Sequence, residues 1–403
     1  MIYIHIPFCR SFCTYCDFYS EIAKSCQQHG TIEGFARALE KEISQASIVQ
    51  DSSSAAKGGP RTLYIGGGTP SVLPLDIFDR IVSSLRANSF IPAGGLDEFT
   101  VEVNPEDIVQ KGESYVEGLM NLGVNRISMG VQSFDDDILK WMNRRHDARH
   151  AVRAYSILEN AGMTNISIDL IFGLPQLTMQ TWSQTLDKAL SISSKGILPS
   201  HISSYQLSIE PGSALFRMLE KGVFSEADEE LCSRQYDLLC ERLLRAGYNH
   251  YEISNFAIPG KQAKHNSAYW DKVPYLGLGP GAHSYLVSPG ETHVQASQKI
   301  RRWNLPDLSS YIQAGGPTGD FSKIRGQEIL TPEEDCEERI MLALRTSQGL
   351  PESFLRLDLE RSSVVDHLLE EGALESIPHA LEPRLRIPES RFFVSDDILS
   401  ELI

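Results

Sequence analysis

No apolar run in this 403-residue chain approaches the roughly 18 residues needed to cross a bilayer. The opening stretch, MIYIHIPFCR, has neither the basic start nor the long apolar core of a secretory signal. Cysteines are few and odd in number, seven in all, so a disulfide framework is not expected and a reducing compartment, the cytoplasm, is. An excess of basic charge is missing too. The formal net charge is −16, which argues against a general nucleic-acid binder, whose footprint should be basic. The hydrophobic share, 41%, is that of an ordinary globular chain with ample core.

Against that scarcity, Cys9, Cys13 and Cys16 crowd into one C-x-x-x-C-x-x-C stretch. A structural zinc site wants four ligands, and only His5 or Cys26 is near enough to be the fourth. A redox pair, Cys13 with Cys16, leaves Cys9 idle. The number three suits a different chemistry. A cubane cluster has four irons, and three thiolates leave one iron open. An open iron can chelate the amino and carboxylate groups of S-adenosylmethionine. An added electron then breaks the sulfonium bond, and the hard chemistry belongs to the cofactor.

The alternating IYIHI before the loop reads as a strand that delivers it. Further strands are expected at 62–65, 99–103, 126–130, 166–171 and 201–207, and helices at about 31–49, 74–88, 113–122, 136–142, 148–161 and 178–192. This alternation predicts an α/β fold, an incomplete six-stranded (β/α) barrel with its chemistry at the C-terminal strand ends. Those ends carry GGGTP (Gly66–Pro70), Glu102 in VEVNP, Gln132 in GVQSF, Arg144 in WMNRRH and Asp169 in IDLIFGLP. Glycine N–H groups suit a carboxylate, and polar residues within apolar strands suit one shared mouth. The stretch 51–60 reads as a surface loop.

Taken together with YIHIPFC…C…CDF and SIEPGS, these motifs resemble the coproporphyrinogen-dehydrogenase-like branch of the radical-SAM superfamily over about 1–295. The resemblance implies a [4Fe-4S] cluster on Cys9, Cys13 and Cys16. It also implies that Tyr3, Gly67, Gly68, Thr69, Glu102, Gln132, Arg144 and Asp169 bind S-adenosylmethionine, with Tyr15 nearby. The oxygen-independent coproporphyrinogen dehydrogenase carries a further cysteine where this chain has Phe18, and a long segment before its motif. Haem chaperones of the HemW type carry H-N-x-x-Y-W, present here as HNSAYW (His265–Trp270).

The resemblance therefore favours a haem chaperone. Its partners would be haem, respiratory membrane proteins that accept it and an electron donor, with a homodimer an allowed state and no nucleic acid. His265 is the first candidate haem ligand and His283, in GLGPGAHSY, the second; Arg301 and Arg302 are expected to meet the propionates. Decarboxylation of coproporphyrinogen is the alternative. The barrel is expected over 1–230 and the extension bearing HNSAYW over 231–330. Over 331–403, three helices and a β-hairpin, with a capping box at Thr331, look like a winged helix. The 361–375 stretch is too acidic for a groove reader, so a docking or lid role is expected of this module.

Overall fold

The computed structural model describes residues 1–23, 30–46, 59–288, 298–357 and 359–403. Cys26 and most of the 51–60 loop lie outside the described residues. Six parallel strands are laid down in order: β1 (Ile2–Ile6), β2 (Thr62–Gly67), β3 (Glu98–Val103), β4 (Arg126–Gln132), β5 (Ile166–Phe172) and β6 (His201–Gln206). The helices that cross between them include α1 (Thr31–Gln45), α2 (Leu75–Ala87), α3 (Pro105–Lys111), α4 (Glu113–Leu122), α5 (Asp136–Trp141), α6 (Ala148–Asn160) and α7 (Met179–Leu190). All six expected strands form, and each expected helix has a counterpart, α1 being described as far as Gln45. The short α3 was not expected; Pro105 occupies its first turn, where a missing N–H costs nothing.

Period-two alternation explains the layering. Phe99, Val101 and Val103 pack under the helices, as do Ile127, Met129 and Val131. Their neighbours Glu98, Thr100, Glu102, Arg126, Ser128 and Asp169 take the other face. Inward residues of a closed barrel are usually bulky and apolar. Here Ser128 donates to Asp169 and Ser167 bonds His201 across that face, so the lumen is polar.

Helices α8 (Ala214–Glu220) and α9 (Glu229–Arg245) lead to a hairpin, β7 (Asn249–Glu252) and β8 (Asn255–Ala257). After α10 (Lys264–Trp270), β9 (Leu276–Leu278) returns to pair with β1. The sheet therefore has nine strands in the order β9-β1-β2-β3-β4-β5-β6-β8-β7. The 231–330 segment thus completes the barrel sheet. It then forms a separate three-stranded sheet from β10 (His283–Ser288), β11 (Gln298–Asn304) and β12 (Arg325–Leu330), with α11 (Leu308–Ala314) against α1.

The C-terminal region runs α12 (Pro332–Leu344), β13 (Leu350–Pro351), α13 (Glu352–Leu355), α14 (Leu359–Glu370) and a hairpin, β14 (Glu375–Ile377) with β15 (Arg384–Arg386). With β13 joining that hairpin, the order β13-β15-β14 has winged-helix topology. Thr331 and Glu334 form the expected capping box. The second strand of that hairpin ends at Arg386, and Glu389–Val394 is a 3₁₀ turn leading into α15 (Ser395–Ser400).

Candidate functional site

The cysteine loop leaves β1 at its C-terminal end. Cys9, Cys13 and Cys16 are free thiols, all half-buried. Among the described residues, no three or more His, Cys, Asp or Glu side chains gather as they would around one metal ion. A cubane does not require that, since it spreads its thiolates over separate irons. The thiols are still electrostatic neighbours: burial, then the charges of Cys13 and Cys9, push Cys16 up to about 12. Burial also raises Cys9, against a hydrogen bond with Thr69. A donor set of this kind suits a strongly cationic centre that would draw off the protons.

The loop is tied down on several sides. Arg10 pairs with Asp107 at 3.1 Å and donates to Gln110 of α3. Asn143, at φ +57°, donates from its side chain to the Phe12 carbonyl at 2.7 Å. Thr14 N–H donates to Met142, and Leu215 N–H to Thr14.

Beside it lies the glycine turn. A β-carbon on Gly66 would sit 2.7 Å from the Tyr64 ring and 2.9 Å from the Glu102 carboxyl. One on Gly67 (φ +104°) would meet the His5 imidazole at 2.7 Å, and one on Gly68 the Phe8 carbonyl at 2.8 Å. The three glycines thus let β1, β2 and β3 converge, and close packing alone accounts for them. Gly67 N–H donates to Glu102 at 3.2 Å, and Tyr64 Oη donates to the same carboxylate at 2.6 Å. Burial, with the Asp169 charge adding to it, still pushes Glu102 up to about 7. Such a carboxyl is poised to accept an ammonium group.

Thr69 Oγ1 lies 3.4 Å from Cys9 Sγ and accepts from Asn104 Nδ2 at 3.2 Å. Arg144 donates to Asn104 Oδ1 and to the Gly130 carbonyl, each at 2.7 Å, and to Cys13 Sγ at 3.5 Å. Burial opposes its charge, but Tyr15 and Cys13 outweigh this and raise it above its ordinary value. Its Nε is buried without a partner among the described residues, a free donor for a carboxylate. Gln132 follows a bulge after Gly130 and holds φ +65°, a strained position for a non-glycine residue. Tyr3 bonds His5 at 3.1 Å, beside Tyr64.

Cys9, Cys13, Tyr15, Thr69 and Arg144 therefore share one neighbourhood, and Glu102, Asp169 and Tyr3 face the lumen beside it. Sequence reading missed Asn104 and Tyr64. Asn104 was within reach, because it lies two residues beyond Glu102, just past the end of β3.

The haem candidates part company. His265 is 1% exposed at the opposite end of the barrel, bonded to Thr62 Oγ1 at 2.7 Å and Tyr269 Oη at 2.9 Å. Its backbone N–H donates to Glu98. Both ring nitrogens are taken, so the arrangement offers no open ligand there, contrary to the expectation. Tyr269 is turned inward with it. Trp270 instead lines a cavity of about 570 Å³ between β7 and the C-terminal module.

His283 is exposed, its ring stacked on Trp303 at 5.9 Å. The turn before it lies against the loop's flanks: a Gly281 β-carbon would be 3.5 Å from Tyr19. Arg301 is engaged by Glu328 and Glu338, and Arg302, next along the strand, points to the other face beside Arg325. The two arginines cannot serve one ligand.

Residues 3–189 match the Radical SAM superfamily model. The heme chaperone HemW of Lactococcus lactis is 34% identical over 86% of this chain and 82% of its own length. That of Bacillus subtilis is 32% identical over 94% and 93%. The mitochondrial radical S-adenosyl methionine domain-containing protein 1 of Mus musculus is 32% identical over 93% and 81%. The fold of the Escherichia coli coproporphyrinogen III oxidase HemN superposes with a TM-score of 0.75 at 20% identity, covering 100% of this chain and 89% of that one. With relatives this similar over most of their length, the chain belongs to the HemW family of radical-SAM proteins.

Proposed function

We propose that this protein is a haem chaperone that holds a [4Fe-4S] cluster and S-adenosylmethionine and passes haem to respiratory membrane acceptors. Cys9, Cys13 and Cys16 would hold the cluster, which supplies one-electron chemistry when bound. The donor set fits: three free thiols, a guanidinium N–H on Arg144 with no partner among the described residues for a carboxylate, and a half-buried carboxyl at Glu102 for an ammonium. Tyr15 and Thr69 adjoin the thiols, and Gly67, Gly68, Gln132, Asp169 and Tyr3 line the same approach. That no described helix is long and apolar enough to cross a membrane fits delivery to a membrane acceptor from outside the bilayer.

In this reading the haem ligand is His283 rather than His265. The carrying observation is that His283 is solvent-exposed and stacked on Trp303, while the turn before it, at Gly281, abuts Tyr19 just past the cysteine loop. Burial and Arg301 lower its pKa, which keeps the imidazole neutral for ligation. Phe12 and Phe18, 51% and 65% exposed on that loop, offer apolar surface to a flat cargo.

An anaerobic haem titration tests this. H283A should alter the Soret band and weaken binding at least tenfold. H265A should lower thermal stability while leaving the Soret band of the folded protein unchanged. Wild-type haem binding by an H283A/W303A double variant overturns the site. Protoporphyrinogen formed at enzymatic rates from coproporphyrinogen and reductant overturns the chaperone reading itself.

A further inference from the structure

Asn104 occupies the N-cap of α3, where an asparagine side chain ordinarily accepts from the first turn of the helix. It does not do so here. Its backbone N–H is held by Ser71 Oγ at 3.1 Å, and Ser71 in turn donates to Asp107. The side chain is therefore free for another task, and both its ends are used. A guanidinium can only donate, so Oδ1 must face Arg144 and Nδ2 must face Thr69. The result is one chain of contacts, Cys9–Thr69–Asn104–Arg144–Cys13, pinned to the barrel wall where Arg144 meets the Gly130 carbonyl.

We infer that Asn104 is a positioning residue: it holds the Cys9 and Cys13 thiols in register and aims a hydroxyl and a guanidinium at their sulfurs. This rests on the reading that the three cysteines hold a cluster. The chemistry of the amide is specific. Alanine breaks both links. Aspartate keeps the acceptor for Arg144 but has no donor for Thr69. Hydrogen bonds and positive charge at cluster sulfurs raise the reduction potential, so loosening them should lower it.

The test compares wild type, N104A and N104D, each reconstituted anaerobically with iron and sulfide. EPR-monitored redox titration should show a lower midpoint potential in N104A than in wild type, with several-fold faster loss of iron to a chelator. In the metal-free proteins, hydrogen–deuterium exchange over residues 9–14 should speed up several-fold in N104A. In N104D the acceleration should be confined to the Cys9 side. If N104A does not fold, the asymmetric exchange of N104D carries the test. Wild-type potential and wild-type loop exchange in an N104A protein of full iron content overturn the inference, as does unchanged exchange beside Cys9 in N104D. A wild-type protein that takes up no four-iron cluster defeats the cluster reading instead.

Discussion

Glu102 and Glu252 sit in environments that a sequence cannot state. Glu252 is 1% exposed and Glu102 half-buried, and desolvation pushes each up to about 7. One oxygen of Glu252 has no partner among the described residues. The unfolded chain releases these protons near pH 4.5, so from there to about pH 7 the folded state binds more protons. These two carboxyls therefore withdraw about 1–3 kcal/mol each as pH rises through that window, while His201, His250 and His265, whose pKa values burial lowers, act the opposite way. Thermal melts of wild type, E102Q and E252Q in the metal-free state, from pH 5 to pH 8, isolate the carboxyl contribution: removing either carboxyl should make stability rise more steeply with pH than in wild type. A pH dependence unchanged in both variants would mean that neither carboxyl is held neutral. An ammonium-bearing ligand should reverse the effect at Glu102, because the ion pair favours the charged form.

At the scale of elements, local signals were legible wherever one residue type does one job. The capping box at Thr331 was readable from its spacing, and it forms, with Glu334 returning a bond to the Thr331 N–H. T331A should cost about 1 kcal/mol, read as a lower midpoint in urea with an unchanged slope. The helix α3 was harder to see, since its proline start is followed by polar residues with little periodicity. The bulge after Gly130, which turns Gln132 into the left-handed region, had no sequence signature at all. Bulges answer to pairing with a neighbouring strand, which lies far away in sequence.

At the scale of the whole molecule, the C-terminal module covers a sheet edge. Ile253 N–H donates to the Arg345 carbonyl at 3.1 Å, and Ser347 N–H to the Tyr251 carbonyl at 3.0 Å, so residues 345–347 continue the sheet beside β7. An edge left bare invites pairing with another chain. Truncation after residue 330 should therefore give concentration-dependent association, measured by light scattering or sedimentation. A truncated protein that stays monomeric would show that β7 needs no cover. The same docking encloses the cavity that Trp270 lines, placing that ring of HNSAYW on the opposite side of its helix from His265.

Spacing and alternation alone determined the parallel barrel, the thiol loop at the end of β1 and the polar residues at successive strand ends. Those features depend on period and on residue chemistry, which are local. Tertiary structure alone decided that His265 is sealed at the barrel base and His283 left open at the mouth. The sequence offers both as histidines in glycine-rich or aromatic company, and only long-range partners, Thr62 and Glu98 against Trp303, separate them. It likewise assigned Asn104 its bonds to Thr69 and Arg144, the residues that touch Cys9 and Cys13, because that role exists only when the segments following β1, β2, β3 and β4 meet.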